Sequence, residues 1–344
     1  MGSGGARTAL AGARAALAAC LGAEADEVCF TSGGTEANNL AILGRWRAAR
    51  LDGRTAVLTT PIEHKAVLEA VRQAEREGAR VRMVDVDSSG VAPLASLRAV
   101  LADDIALVSV GWVNNEIGTR QPLTALAEEA AERGAAVHTD AVQAFGKVHI
   151  DARAQRFDLL TISGHKIGAP KGIGALYVRR GVALEPILYG GEQGGGRRPG
   201  TENVALAVGL ARAAELTLAE QAAEVPRLLR LRDQLQTALA EALPEIVIHG
   251  SAGPRASHIV NVSIPGVDAA TLLMALDRHG IAASAGSACQ GGHAGQSHVL
   301  HALGVAPELI GAAIRLSLGV LTSDASVSRA VSVIVTLVRQ ARGN

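Results

Sequence analysis

The first half of the chain alternates short apolar, β-branched runs with alanine-rich amphipathic segments. The apolar runs predict strands at residues 56–60, 80–86, 106–110, 135–139 and 159–163, and the amphipathic segments predict helices at 64–77 and 124–133. This alternation is typical of crossover connections and of a mostly parallel sheet covered on both faces. Ligands of such sheets bind beyond the carboxyl ends of the strands. Polar residues directly after the predicted strands are therefore the first candidates for a site.

A different pattern begins near residue 218. A long amphipathic helix is predicted at 218–243, with Pro226 close to its start. The remaining pattern predicts strands at 259–264, 281–285 and 313–318 and helices at 269–279, 297–303 and 326–342. We therefore expect an α/β protein with a large domain at 1–216 and a smaller α+β domain at 217–344.

Composition narrows the functional classes. The 344 residues include 33 Lys and Arg against 33 Asp and Glu, a formal net charge of zero. Zero net charge provides no general attraction to nucleic acids or anionic membranes, and 2% aromatic residues are too few for base stacking. No apolar run approaches the ~20 residues of a membrane span. Three cysteines cannot form a disulfide framework, so we expect a cytoplasmic protein. From the charge, the aromatic content and the apolar runs we expect neither nucleic-acid nor membrane partners.

The segment at residues 31–39 follows a short strand-like run and opens a helix. Gly33 and Gly34 allow close approach of the backbone, and Thr35 adds a hydroxyl donor. Backbone N–H groups at a helix start bind anions such as phosphate. An ordinary turn with an N-cap has the same appearance, so this motif alone does not establish a phosphate site.

Asp140 and Lys166 follow two successive predicted strands. A carboxylate at residue 140 could pair with a protonated ring nitrogen, and Gln143 could donate to a ring oxygen. A lysine in a partly apolar crevice can form a Schiff base. Taken singly, an N-cap aspartate and a surface lysine are the common alternatives. Together they are the two protein groups that pyridoxal 5′-phosphate (PLP) requires, and the turn at Gly34 and Thr35 supplies a phosphate cradle.

Other candidates lie after further strands and in the second half. His64 could stack on a cofactor ring, and Asn115 could bind a cofactor oxygen or a substrate carboxylate. Cys289 stands in a glycine-rich stretch that leaves its sulfur accessible. Arg315 lies among apolar residues and could bind a substrate carboxylate, although a structural ion pair is the plain alternative.

A metal site is a competing interpretation of the region around Cys289. His293, His298 and His301 lie nearby, but the spacing matches no structural zinc pattern and the chain has no Cys-x-x-Cys motif. We therefore expect no metal.

Eight motifs in one order resemble the cysteine desulfurases of the NifS/IscS type, class V members of the fold-type I PLP enzymes. The resemblance runs from about Arg7 to the C-terminal helix. The motifs are Phe30-Thr31-Ser32-Gly33-Gly34-Thr35-Glu36-Ala37-Asn38-Asn39, Glu63-His64-Lys65-Ala66-Val67, Asn114-Asn115-Glu116-Ile117-Gly118, Asp140-Ala141-Val142-Gln143, Ser163-Gly164-His165-Lys166, Arg197-Arg198-Pro199-Gly200-Thr201-Glu202-Asn203, Gly286-Ser287-Ala288-Cys289 and Ile314-Arg315-Leu316-Ser317-Leu318-Gly319. The resemblance implies a large domain with a mostly parallel seven-stranded sheet and a PLP cofactor.

The resemblance also implies a role for each site residue. Lys166 binds PLP covalently, Asp140 pairs with the ring nitrogen, Gln143 contacts the ring oxygen, and His64 stacks on the ring. The phosphate contacts come from Gly34, Thr35, Ser163 and His165, with Thr201 reaching from a second subunit of a homodimer. Asn115 and Arg315 hold the carboxylate of L-cysteine, and Cys289 receives the sulfur as a persulfide. The long stretch after Cys289 resembles the group that delivers sulfur to an acceptor protein.

The sequence departs from the family in two places. The usual N-terminal segment with an Ala-Thr-Thr-Pro-like motif is absent, and the loop at 190–195 lacks the usual Gly-Gln-Glu-Arg. The first departure leaves three expectations open: a truncated chain, a partner that supplies the segment, or impaired turnover. A selenocysteine lyase, a PLP aminotransferase and a non-catalytic protein of the same fold are the alternative functions. Iron–sulfur assembly, tRNA thiolation and secondary-metabolite sulfuration all remain open as destinations of the sulfur.

Overall fold

A mostly parallel sheet organises the first part of the chain in the computed structural model, which describes residues 3–285 and 296–343. The described residues separate into two compact units. Unit 1 contains those of Met1–Asp85, Ala92–Val113 and Gln121–Gln221, and unit 2 those of Val86–Val91, Asn114–Arg120 and Ala222–Asn344. Unit 2 therefore includes two short segments that lie early in the sequence.

Seven strands form the sheet of unit 1. They are β1 (Val28–Thr31), β2 (Ala56–Thr59), β3 (Arg80–Met83), β4 (Ile105–Ser109), β5 (Ala136–Asp140), β6 (Leu159–Ser163) and β7 (Gly174–Val178). Their order is β1-β7-β6-β5-β4-β2-β3. Strands β3, β2, β4, β5 and β6 are parallel to one another, and β7 pairs antiparallel with both β6 and β1. The predicted α/β class with a mostly parallel seven-stranded sheet is confirmed.

Helices cover this sheet because their apolar faces must be buried. They are α1 (Ser3–Leu21), α2 (Gly34–Ala49), α3 (Lys65–Arg76), α4 (Leu94–Val100), α5 (Leu123–Glu132) and α6 (Val204–Ala242), the last continuing past the division between the units. Helix α2 is buried along most of its length, with Leu40 and Trp46 in the core. Helix α3 buries residues 66, 67, 68, 70, 71 and 74 and exposes polar residues on its other side, which fits a helix on the surface of the sheet.

Unit 2 is built on a small antiparallel sheet of β8 (Val247–Ile248), β9 (Ile259–Ser263) and β10 (Ala313–Ser317) in the order β10-β9-β8. Its helices are α7 (Ala269–Arg278), α8 (His298–Ala302), α9 (Pro307–Gly311) and α10 (Asp324–Ala341). Its apolar core joins residues of α6, α7 and α10 with Val260, Val262, Ile314 and Leu316 of the central strands.

Two local expectations differ from the structure. Residues 281–285 do not form a strand, because only Ser284 pairs, in an isolated bridge with Arg315. Helix α6 begins at Val204 rather than near residue 218 and contains Pro226 in its interior. The apolar periodicity before residue 218 is weak, since alanines dominate that part of the helix.

Candidate active site

The carboxyl ends of the parallel strands meet at one edge of the sheet of unit 1. Strands β1, β2, β4, β5 and β6 all run in the same direction, because β7 is antiparallel to both of its neighbours. The predicted site residues of unit 1 that directly follow a strand lie at this edge: His64 after β2, Asp140 at the end of β5, Ser163 at the end of β6, and Gly34 after β1. The topology therefore brings together groups that lie up to 130 residues apart.

The turn between β1 and α2 has little room for side chains, so a ligand could come close to its backbone. A Cβ atom on Gly34 would lie 3.0 Å from Val142 Cγ2 and 3.4 Å from Ser163 Cβ, so a side chain would crowd the turn. The hydroxyl of Thr31 donates to the carbonyl oxygen of Gly33 at 3.0 Å and stabilises the turn. Thr35 is exposed in the first helical turn. The N–H groups of that turn have no carbonyl partner within the helix, which suits an anion.

Asp140 is held in place by two hydrogen bonds. Its Oδ2 accepts from Nδ2 of Asn38 at 2.7 Å, and its Oδ1 accepts from the backbone N–H of Val142 at 2.9 Å. Asn38 is 1% exposed and belongs to α2, so the carboxylate is hydrogen-bonded to the same helix whose start forms the turn at Gly33 and Gly34, called the anion turn below. Gln143 lies half-buried in the turn that follows.

A short 3-10 turn, Gly164–Lys166, follows β6 and carries the predicted lysine. Ser163 Oγ and His165 Nδ1 are 3.0 Å apart, and burial together with the charges of Lys166 and Lys171 lowers the pKa of His165. The side chain of Lys166 is exposed at the sheet edge. This end of β6 therefore offers a primary amine next to hydroxyl and imidazole donors.

His64 caps helix α3. Its Nδ1 accepts a hydrogen bond from the backbone N–H of Ala66 at 3.1 Å, so a neutral ring carries its proton on Nε2. The neighbouring Glu63 is buried, with Oε1 accepting from the Thr60 hydroxyl at 2.7 Å and Oε2 from the Gly111 N–H at 2.8 Å. Burial raises the pKa of Glu63 to about 8, with a contribution from the nearby Asp140. Glu63 is thus a mostly neutral carboxyl at pH 7.

Thr201 is exposed in the segment before α6, next to Glu202. Glu202 pairs with Arg14 of α1 at 2.5 Å, which anchors this segment to the N-terminal helix. Thr201 is thus a solvent-exposed residue of unit 1, in a segment that an ion pair joins to α1.

The two predicted carboxylate-binding residues meet in unit 2. Nη1 of Arg315 on β10 donates to the backbone carbonyl oxygen of Asn115 at 2.9 Å. The Asn114 side-chain oxygen accepts from the N–H groups of Glu116 and Ile117 at 2.9 and 3.0 Å and shapes this turn. Asn115 and Arg315 are both half-buried. A guanidinium beside a polar turn is well suited to a carboxylate.

Cys289 and His293 lie outside the described residues. Of the other cysteines, Cys20 and Cys29 form no disulfide, and burial raises both thiol pKa values, that of Cys29 to about 11. Among residues 3–285 and 296–343 no cluster of three His, Cys, Asp or Glu could hold a metal ion.

Sequence reasoning assigned no role to three residues that shape these sites: Asn38, Glu63 and Asn261. All three are buried polar side chains. Asn38 and Glu63 belong to motifs quoted above. For Asn38 in α2 and Asn261 in β9, a polar residue among apolar neighbours was the available signal.

Comparison with known proteins identifies the class. The model of the class-V aminotransferase family matches residues 3–329. A cysteine desulfurase of Nostoc sp. (strain PCC 7120 / SAG 25.82 / UTEX 2576) is 42% identical over 332 residues, covering 96% of this chain and 82% of that protein. A cysteine desulfurase IscS of Methanosarcina thermophila is 43% identical over 330 residues, covering 96% and 81%. A solved structure of a NifS-like protein superposes with a TM-score of 0.91 at 33% identity, covering 99% and 90%.

The chain therefore belongs to the class-V aminotransferase family, whose enzymes use PLP. Its curated relatives are named cysteine desulfurases, so the resemblance noted from the sequence motifs is confirmed. In the described part of the chain, no helix has the length and apolar character to cross a bilayer.

Proposed function

We propose that the chain is a PLP-dependent cysteine desulfurase that converts L-cysteine to L-alanine and takes the sulfur as a persulfide. The observation that carries the proposal is the meeting of an amine, a fixed carboxylate, an imidazole and a crowded glycine turn at one sheet edge. The relatives named cysteine desulfurase support the choice of reaction.

The residues at this edge fit PLP. The turn at Gly34 offers helix N–H groups where a side chain would clash, as a phosphate cradle requires. The Asp140 carboxylate keeps a fixed orientation through Asn38 and Val142 and would pair with a protonated ring nitrogen. When bound, PLP supplies a ring that withdraws electrons from the substrate Cα.

Each remaining group has a defined task. Lys166 Nζ would hold the cofactor, and its amine would accept the proton that leaves the substrate Cα. Gly34, Thr35, Ser163 and His165 would bind the phosphate, and Gln143 would donate to the ring oxygen. His64, held by its bond to the Ala66 N–H, would stack on the cofactor ring. Arg315 and Asn115 orient the substrate carboxylate.

Sulfur transfer needs a reactive thiol. The thiol of Cys289 bonds to the substrate sulfur while the Cβ–S bond breaks, so that cysteine and thiol give alanine and persulfide. The raised thiol pKa values of Cys20 and Cys29 make them poor nucleophiles, which supports assigning this step to Cys289. We further propose a cytoplasmic homodimer, with Thr201 reaching the phosphate of the second subunit, and a protein acceptor for the sulfur.

Purified protein incubated with PLP and L-cysteine should release alanine and carry a persulfide on Cys289. Cys289→Ser should retain bound PLP yet lose the persulfide and at least about 100-fold of the alanine formation, because the nucleophile is gone. Cys29→Ser is the matched control, since its thiol is buried. Alanine and the modified peptide are measured by mass spectrometry. Alanine formation at background rate by the wild type, or a persulfide on Cys29, would contradict the proposal.

A further inference from the structure

Asn261 and Arg315 are direct neighbours on the two central strands of unit 2. They are register partners in the antiparallel pair of β9 and β10. The backbone N–H and C=O of Arg315 both pair with Ser284, at 2.5 and 3.1 Å, on the opposite side of β10. Arg315 and Asn261 therefore form a non-hydrogen-bonded pair, in which the Cα atoms are closest, about 4.5 Å, and the side chains share one face.

Both side chains hold the same backbone segment. Arg315 Nη1 donates to the carbonyl oxygen of Asn115 at 2.9 Å, and Asn261 Nδ2 donates to that of Glu116 at 3.2 Å. The carboxylate of Glu116 is itself anchored, because it accepts from the Ser297 hydroxyl at 2.5 Å. Asn261 and Arg315 thus hold the carbonyl groups of two consecutive residues, Glu116 and Asn115.

The amide of Asn261 is also an unusual choice for this position. The residue is 1% exposed, and its Oδ1 has no hydrogen-bond partner among the residues that the structure describes. A buried acceptor without a partner is costly, and an apolar side chain would avoid that cost. An amide supplies the donor to Glu116 while adding no negative charge beside the guanidinium.

We propose that Asn261 is a positioning residue that orients Arg315 for the carboxylate of an amino-acid substrate. The inference rests on the proposed function for the identity of that substrate. A neutral donor at residue 261 holds the segment that Arg315 contacts and adds no negative charge beside the guanidinium. A carboxylate at residue 261 would compete with the substrate for the same guanidinium.

The test compares two ligands that differ only in the carboxylate, L-alanine and L-alaninamide, by calorimetric titration of the holoenzyme. Asn261→Asp should weaken L-alanine binding by at least about tenfold, ~1.4 kcal/mol, and leave L-alaninamide binding unchanged. Asn261→Ala, which buries no charge, should weaken L-alanine binding by a smaller factor. Ser263→Ala is the control, because Ser263 lies on the same face of β9 but pairs with Ala313.

The visible absorbance of bound PLP should be the same in all variants, since the cofactor residues lie in unit 1. Unchanged L-alanine affinity in both Asn261 variants would overturn the inference, as would an equal loss for both ligands, which marks a merely structural role. If Asn261→Asp does not fold, the affinities of Asn261→Ala for L-alanine and L-alaninamide test the inference instead. Alanine formation from L-cysteine by the wild type tests the proposed function separately, because these affinities do not depend on turnover.

Discussion

At the scale of single residues, buried polar side chains set the geometry of the sheet edge. Glu63 joins the end of β2 to Gly111, and the neighbouring Trp112 N–H donates to the carbonyl oxygen of Asp140 at 3.0 Å. His64 and Asp140 are therefore linked through one buried carboxyl. Such a group is acceptable in the interior because it keeps its proton near neutral pH.

Glu63 should make folding stability depend on pH. Its native pKa of about 8 exceeds the ordinary 4.5, so between these values the native state holds a proton that the unfolded state releases. The contribution of Glu63 to stability is therefore present below about pH 4.5 and is lost as the pH rises towards 8. Glu63→Gln does not titrate and should gain stability over the wild type as the pH rises, by at most about 1.4 kcal/mol per pH unit.

Urea unfolding at about pH 5, 6.5 and 8 measures this difference. Glu69→Gln, an exposed change on α3, is the control and should leave the pH dependence as in the wild type. Equal pH slopes for the wild type and Glu63→Gln would show that the Glu63 carboxyl is ionised in the native state.

At the scale of secondary-structure elements, β7 lies between β1 and β6, the two strands that lead into the proposed phosphate site. Gly174 at its start is paired with Thr31 of β1 on one side and with Ser163 of β6 on the other. A Cβ on Gly174 would lie 2.7 Å from the carbonyl carbon of Gly33 and 2.7 Å from the Ile162 oxygen. The anion turn is therefore packed directly against the backbone of this strand.

Gly174→Ala should move that turn. Both contacts are backbone atoms that cannot rotate away, so we expect a loss of about 1–3 kcal/mol in the free energy of unfolding and weaker binding of PLP. Gly12→Ala in α1 is the matched control, because nothing lies within 4 Å of the added methyl group. Urea unfolding and titration with PLP give the two quantities. Wild-type PLP affinity in Gly174→Ala would refute the role given to this strand.

The sequence predicts some elements better than others, and the reasons are physical. Strands β4 and β6 are continuous apolar runs, and α3 has a clear apolar stripe, so local pattern suffices for their prediction. The antiparallel direction of β7 depends on pairing with β1, about 145 residues earlier, which no local pattern encodes. The positions of Asp140 and Lys166 were predictable because residues that follow parallel strands share one edge. The bonds from Asn38 and Asn261 were not, because each joins residues more than 100 positions apart.

At the scale of the whole molecule, the proposed cofactor residues lie in unit 1, and Asn115 and Arg315, the proposed carboxylate-binding pair, lie in unit 2. A ligand that binds only the folded state stabilises it in proportion to its occupancy. PLP should therefore stabilise the folded state of unit 1, where Lys166 and Asp140 lie.

Removal of PLP should lower the melting temperature of the protein. At a PLP concentration of about 100 times the dissociation constant, the stabilisation is ~2.7 kcal/mol, or about 5–10 °C for a unit of this size. Lys166→Ala should lose most of this gain and the absorbance of lysine-bound PLP, whereas the neighbouring Lys171→Ala should retain both. Differential scanning calorimetry with and without PLP measures the shift. An equal gain in Lys166→Ala would exclude residue 166 as the attachment point.

The two early segments of unit 2 have a consequence for biosynthesis. Val86–Val91 and Asn114–Arg120 leave the ribosome well before the residues they contact, such as Arg315, which comes 200 positions after Asn115. The hydrogen bond between Asn115 and Arg315 therefore cannot form until translation is nearly finished. A fragment that starts at Ala222 would lack Gly118 and Arg120, whose backbone groups bond to Ala256 and Pro254, so expressing the C-terminal region alone would leave these groups without their partners.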